Sequence, residues 1–96
     1  MLENKFQSNL IKKLKNQFPG CIVMKNDSSY IQGIPDLIIL HRDKWASLEC
    51  KKTANAKRQP NQEHYVDRMN EMSFSRFIYP ENEEEVLREL SETFKS

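Results

Sequence analysis

Cysteine and histidine are scarce in this 96-residue chain, two of each, which removes several classes of chemistry at once. Cys21 and Cys50 lie inside short apolar runs and cannot build the disulfide framework of a small secreted domain. They read as reduced core residues of a cytosolic protein. His41 and His64 add no zinc-ligand spacing. No apolar run approaches the roughly 20 residues of a membrane helix, and the opening Met-Leu-Glu-Asn-Lys lacks a signal-peptide core. No membrane partner is therefore expected, and the expected location is the cytoplasm, that of the host if a phage encodes the chain. Repeats, low-complexity tracts and linkers are also missing, so residues 1–96 read as one domain with one modest core.

What is present suits a globular fold: 38% hydrophobic and 30% charged residues. The net charge of +1 hides a segregation. Residues 1–60 carry eleven Lys/Arg against five Asp/Glu, and residues 61–96 carry four against nine. Lys51, Lys52, Lys57 and Arg58 form a basic stretch that could grip a phosphate backbone, although a solvated basic loop has the same composition.

Leu2, Phe6, Leu10, Ile11, Leu14 and Phe18 recur at helical spacing, and Pro19-Gly20 stops that helix. Cys21 to Met24 is a strand, and Asn26-Asp27-Ser28-Ser29 is loop chemistry. Asp36 to Leu40 reads as a fully buried strand, and the polar turn from His41 to Lys44 leads into a second, Trp45 to Lys51, in a hairpin. Pro60 suits the first turn of a helix running to about Met72, with Tyr65, Val66, Met69 and Met72 as its apolar face. A loop from Glu71 to Phe74, a strand from Ser75 to Tyr79 and a final helix presenting Val86, Leu87, Leu90 and Phe94 complete the order α-β-β-β-α-β-α.

The chemistry concentrates in Gly33-Ile34-Pro35-Asp36 and Glu49-Cys50-Lys51. Strand side chains alternate between faces, so Glu49 and Lys51 share one face while Cys50 takes the other. If the two strands pair, Asp36 joins them at one sheet edge. Two carboxylates and an ammonium gathered there are what metal-assisted phosphodiester hydrolysis needs. Glu3 and Gln7 fall within the apolar stripe of the first helix, where a carboxylate is costly without a partner or a metal. A first-turn position that favours an acid through the helix dipole is the alternative for Glu3. Gln62 projects from the apolar face of the second long helix, where it could support an acidic metal site.

These pieces together resemble the PD-(D/E)XK nuclease superfamily, and within it the VRR-NUC family, whose small stand-alone phage and bacterial members have little beyond this core. The resemblance covers nearly the whole chain: Glu3, Gly33 to Asp36, Glu49 to Lys51, and Gln62. The segment Glu71 to Phe74 departs from it by lacking a glycine. The resemblance implies a restriction-endonuclease-like α/β core, a mixed sheet flanked by helices, and a metal-dependent DNA endonuclease. Asp36 and Glu49 would be the principal Mg²⁺ or Mn²⁺ ligands, with the backbone carbonyl of Cys50 as a further one and Glu3 direct or through water. Lys51 would orient the attacking water or stabilise charge on the phosphorane-like transition state, and Gln62 would support the site. Hydrolysis would leave 5′-phosphate and 3′-hydroxyl ends.

The expected substrate is structured DNA such as Holliday junctions or flaps, and cutting two strands would most simply use a homodimer. Tyr30, Trp45 and Phe74 are candidates for a dimer contact or base stacking, with core packing their ordinary role; Tyr30, in the loop before the motif, is the best placed. The competing readings are a non-catalytic DNA-binding module that keeps the nuclease fold, and a structural domain in which Lys51 simply pairs with Glu49 or Asp36.

Overall fold

The computed structural model describes residues 2–96. In chain order the elements are α1 (Glu3–Gln17), β1 (Ile22–Lys25), β2 (Leu37–His41), β3 (Lys44–Cys50), α2 (Pro60–Met72), β4 (Phe74–Ile78) and α3 (Glu83–Lys95). The expected order α-β-β-β-α-β-α is the observed one. In α1 the residues Phe6, Leu10 and Leu14 recur every fourth position and are buried, and Phe18 joins them just past the helix end. Leu2 is 77% exposed and lies outside the stripe, because it is the extended residue before the first turn.

The sheet has the order β1-β2-β3-β4. The first two pairings are antiparallel, and β3 pairs with β4 in parallel. The β2–β3 hairpin turns at Arg42, which adopts a left-handed φ of 59°. A parallel pairing needs a long crossover, and α2 supplies it between β3 and β4.

Alternation gives the sheet two different faces. Leu37, Ile39, Ala46, Leu48, Cys50 and Ile78 point toward α1 and α3 and form the core with Phe6, Leu10, Leu14, Leu90 and Phe94. Ser47, Glu49 and Ser75 point the other way, beneath α2. There the Ser47 hydroxyl donates to Ser75 Oγ at 2.6 Å and lies 3.9 Å from Met69 Sδ.

Because α2 packs on β3 and β4, the same face of β1 and β2 stays open. Ile22, Met24 and Leu40 are 59%, 48% and 37% exposed. The expectation of a fully buried β2 is therefore corrected: only Leu37 and Ile39 are buried, and the strand alternates. Met72 is likewise exposed, leaving Val66 as the one buried residue of α2. The loop expected at Glu71 to Phe74 shrinks to Ser73, because α2 runs through Met72 and β4 starts at Phe74. Phe74 is thereby buried in the sheet and unavailable to DNA or a partner, and Trp45 is half-buried.

Candidate active site

The hairpin register places Leu37 opposite Leu48, so the next pair toward the sheet end is Asp36 and Glu49. Each acid is fixed by the other strand's backbone. The Asp36 N–H donates to Glu49 Oε1 at 3.1 Å, and the Cys50 N–H donates to Asp36 Oδ2 at 3.0 Å. The loop before Asp36 is tied to β1: Asn26 N–H donates to the Asp36 carbonyl at 2.8 Å, and Asn26 Nδ2 to the Pro35 carbonyl at 2.7 Å. Lys51 directly follows β3, and its N–H bonds to the Ile78 carbonyl of β4 at 2.9 Å. Bonds among the ends of all four strands therefore set the position of this end of the sheet.

The first turn of α2 closes the group. Gln62 Nε2 donates to Glu49 Oε2 at 2.9 Å, while Gln62 Oε1 accepts from Lys51 Nζ at 2.9 Å and from the Gln59 N–H at 2.9 Å. A carboxylate on one side and two donors on the other fix the orientation of this amide. Lys51 Nζ lies 4.0 Å from Glu49 Oε2, so the two charges meet mainly through Gln62. Gln59 and Gln62 form a reciprocal capping box, with Pro60 as the first helical residue.

Glu49 and Lys51 are both nearly buried. Burial, with the neighbouring Asp36 charge adding to it, pushes the Glu49 carboxyl up to about 8. Asp36 is also raised, again chiefly by burial, with Glu3 adding and the Cys50 N–H and Lys51 opposing. A pair of carboxyls held in this state gains from a cation placed between them and solvent. Among the described residues, no three His, Cys, Asp or Glu side chains stand as a ready-made cage. Mg²⁺ does not need one, since it commonly uses one or two carboxylates and keeps several waters. The hard oxygens of Asp36 and Glu49, with lone pairs beyond their present bonds, fit that ion or Mn²⁺.

Glu3 is exposed at the start of α1 and is not a core-facing carboxylate. The first-turn reading of it is correct locally, yet its charge still reaches the site and raises both Asp36 and Glu49. Gln7, one turn further along, is half-buried, and the ionisation of the Cys50 thiol is pushed up mainly by burial. Cys50 is wholly buried, so its side chain belongs to the core.

Lys52, Lys57 and Arg58 are exposed around the segment joining β3 to α2, whereas Lys51 is withdrawn from that basic stretch into the site. The Arg58 guanidinium stacks 4.0 Å from the centre of the Phe77 ring, which orients it beside α2. Tyr30 stands 86% exposed on the loop between β1 and β2.

Three supporting residues escaped the sequence. Gln59 could have been found, because Gln-Pro-x-Gln is a capping-box spacing at a proline-started helix. Asn26 and Asn61 left no signal, as their roles arise from contacts between segments distant in sequence. An added Cβ on Gly33 would fall 2.7–2.8 Å from Asn61, so the loop leading to Asp36 lies directly on the start of α2.

No protein-family profile matches this chain, and no curated protein is similar enough to match it. Solved structures do share its fold. One, described as a VRR_NUC domain protein, superposes with a TM-score of 0.71 over 99% of this chain and 89% of its own, at 15% identity. Another, described as a VRR_NUC domain, gives 0.56 over 75% of this chain and 81% of its own, at 28% identity. The mixed four-stranded sheet with its flanking helices is thus shared with these domains, and this chain has the VRR_NUC fold.

Proposed function

We propose that this protein is a Mg²⁺- or Mn²⁺-dependent DNA endonuclease acting on branched DNA such as Holliday junctions or flaps. The observation that carries this reading is the partly buried chain Asp36–Glu49–Gln62–Lys51 at the end of the sheet, with Glu49 and Lys51 its buried members. A purely DNA-binding domain has no use for a carboxyl raised to about 8 beside a second acid. A purely structural pairing would bring Lys51 and Glu49 into direct contact instead of through an amide.

Asp36 and Glu49 would hold the ion, with the Cys50 carbonyl as a further ligand and Glu3 acting through water. The ion supplies neutralisation of the phosphate, a lower pKa for the attacking water and support for the leaving oxygen. Lys51, anchored by one bond to Gln62, has further N–H donors to orient water and to meet negative charge as it develops on phosphorus. Gln62 holds the acid and the lysine in one geometry. Lys52, Lys57 and Arg58 grip flanking phosphates, and Tyr30 meets the bases. In-line attack of water leaves 5′-phosphate and 3′-hydroxyl ends.

The direct test is cleavage of labelled duplex, flap and four-way-junction DNA with Mg²⁺, Mn²⁺ or EDTA. Metal-dependent cutting with preference for branched forms is expected, and no cutting of any substrate overturns the reading. Gln62→Ala should lower kcat by about 10- to 100-fold, as loss of a residue that orients metal ligands typically does, with KM changed much less. A variant with unchanged kcat would remove Gln62 from the site.

A single chain holds one such site, and cutting two arms of a junction takes two. The exposed apolar face of Ile22, Met24 and Leu40 offers a second copy a surface to cover. Light scattering is expected to give twice the chain mass for the wild type and the monomer mass for Met24→Glu. A wild-type monomer at tens of micromolar would exclude the homodimer.

A further inference from the structure

Between β1 and β2 the chain makes a loop whose composition serves neither strand. It is polar at Asn26 to Ser29 and apolar at Tyr30, Ile31 and Ile34. The loop is held by its own bonds. Asp27 Oδ1 accepts from the Ser29 N–H at 2.8 Å and from the Ser29 hydroxyl at 2.6 Å, and the Tyr30 N–H donates to the Asp27 carbonyl at 3.1 Å. These turns lift Tyr30 to 86% exposure, above a cavity of about 400 Å³ lined by Asn26, Asp27, Tyr30, Ile31 and Ile34. A large aromatic ring held in water at the rim of a partly apolar cavity is a stacking surface without a partner.

The cavity adjoins the acids. Asn26 lies opposite Asp36 across the β1–β2 pairing and bonds to its carbonyl at 2.8 Å. Neighbouring strands stand about 5 Å apart, so a DNA strand at the acids passes beside the cavity. The Asp27 carboxylate, kept ionised by its bonds to Ser29, repels a phosphate and leaves the cavity to a neutral group. Asn26 Nδ2 is already committed to the Pro35 carbonyl, so its Oδ1 is the free end of the amide. With Asp27 this gives two acceptors beside two isoleucine walls and a tyrosine ring.

We propose that this pocket receives an unpaired nucleobase from the DNA strand held at Asp36 and Glu49, a base bearing an exocyclic amino group being favoured. A base within a stacked duplex cannot enter, so the pocket would select DNA with an unpaired nucleotide beside the cut. The inference rests on the nuclease reading for its strand and extends it to a feature of the substrate.

The test uses the full chain with Ca²⁺ and a duplex carrying one bulged 2-aminopurine, against the same duplex fully paired. The wild type is expected to change 2-aminopurine fluorescence only in the bulged DNA. Tyr30→Ala should lose that change and bind bulged DNA about tenfold more weakly, the usual scale for losing one base–aromatic stack, with its melting temperature unmoved. Tyr30→Phe should keep both. An unchanged signal and affinity in Tyr30→Ala, or no signal in the wild type, overturns the pocket.

Cleavage with Mg²⁺ then separates the two readings. Cuts within two nucleotides of the bulge support both. Cutting with a silent 2-aminopurine leaves the nuclease and removes the pocket. A Tyr30-dependent signal without cutting does the reverse.

Discussion

Glu49→Gln is expected to abolish cleavage, by a thousandfold or more, while making the metal-free protein more stable at pH 8. The first effect follows from removing one of the two carboxylates proposed to hold the metal and the group on which Gln62 and Lys51 are arranged. The second follows from proton linkage. The Glu49 carboxyl stands at about 8 in the fold against 4.5 for the free side chain. Below pH 4.5 both folded and unfolded forms hold the proton, and no penalty arises. Between 4.5 and 8 only the folded form holds it, so stability falls steadily as pH rises through that window. The fall is on the order of 4 kcal/mol, and glutamine removes it. Thermal melts from pH 5 to 9 should therefore slope downward for the wild type and lie flatter for Glu49→Gln. Mn²⁺ should raise the melting temperature at pH 8 in the wild type alone. Parallel melting curves for the two proteins would refute the buried-acid account, and wild-type turnover in the variant would refute the ligand assignment.

Gly33→Ala should be the most damaging single methyl in the chain. Gly33 has φ +92° and lies against Asn61, where a new Cβ would meet the side chain at 2.7 Å and the backbone carbonyl carbon at 2.8 Å. The left-handed backbone costs a residue with a Cβ about 1–2 kcal/mol. Overpacking adds about 1–3 kcal/mol, and only separation of the loop from α2 relieves it. A melting temperature lowered by roughly 10 °C or more is expected, together with loss of activity, because that separation pulls Asp36 away from Gln62. Asn61→Ala should not rescue it, since the carbonyl carbon and Cβ remain. Gly20→Ala is the control: φ is +88° but nothing lies within 4 Å, so only the backbone cost applies. Equal losses at the two glycines would show that the contact with Asn61 is unimportant.

The order of helices and strands along the chain and the motif were legible because they are local. Val86, Leu87, Leu90 and Phe94 recur at helical spacing and are all buried in α3, and alternation alone placed Glu49 and Lys51 on one face. Misreadings occurred where burial depends on what lies opposite. Asp36 to Leu40 is apolar throughout, and an apolar run looks the same whether one face or both are covered. Met72 fits the helical period of α2, but that helix ends beyond the sheet's cover. Glu3 shows the converse. Its place in the stripe suggested a buried acid, whereas an exposed first-turn acid projects its field into the site without entering it.

The sequence by itself determined which side chains could do chemistry and the face of the strand on which each lies, because a two-residue period needs only the chain's own geometry. Only the tertiary structure decided how they are connected. Gln62 and Lys51 are eleven residues apart, and Asp36 and Cys50 fourteen, so no local rule sets their contact. Packing of α2 over half of one sheet face buries Glu49, raises its carboxyl and turns Gln62 toward it. The same packing leaves the other half of that face open.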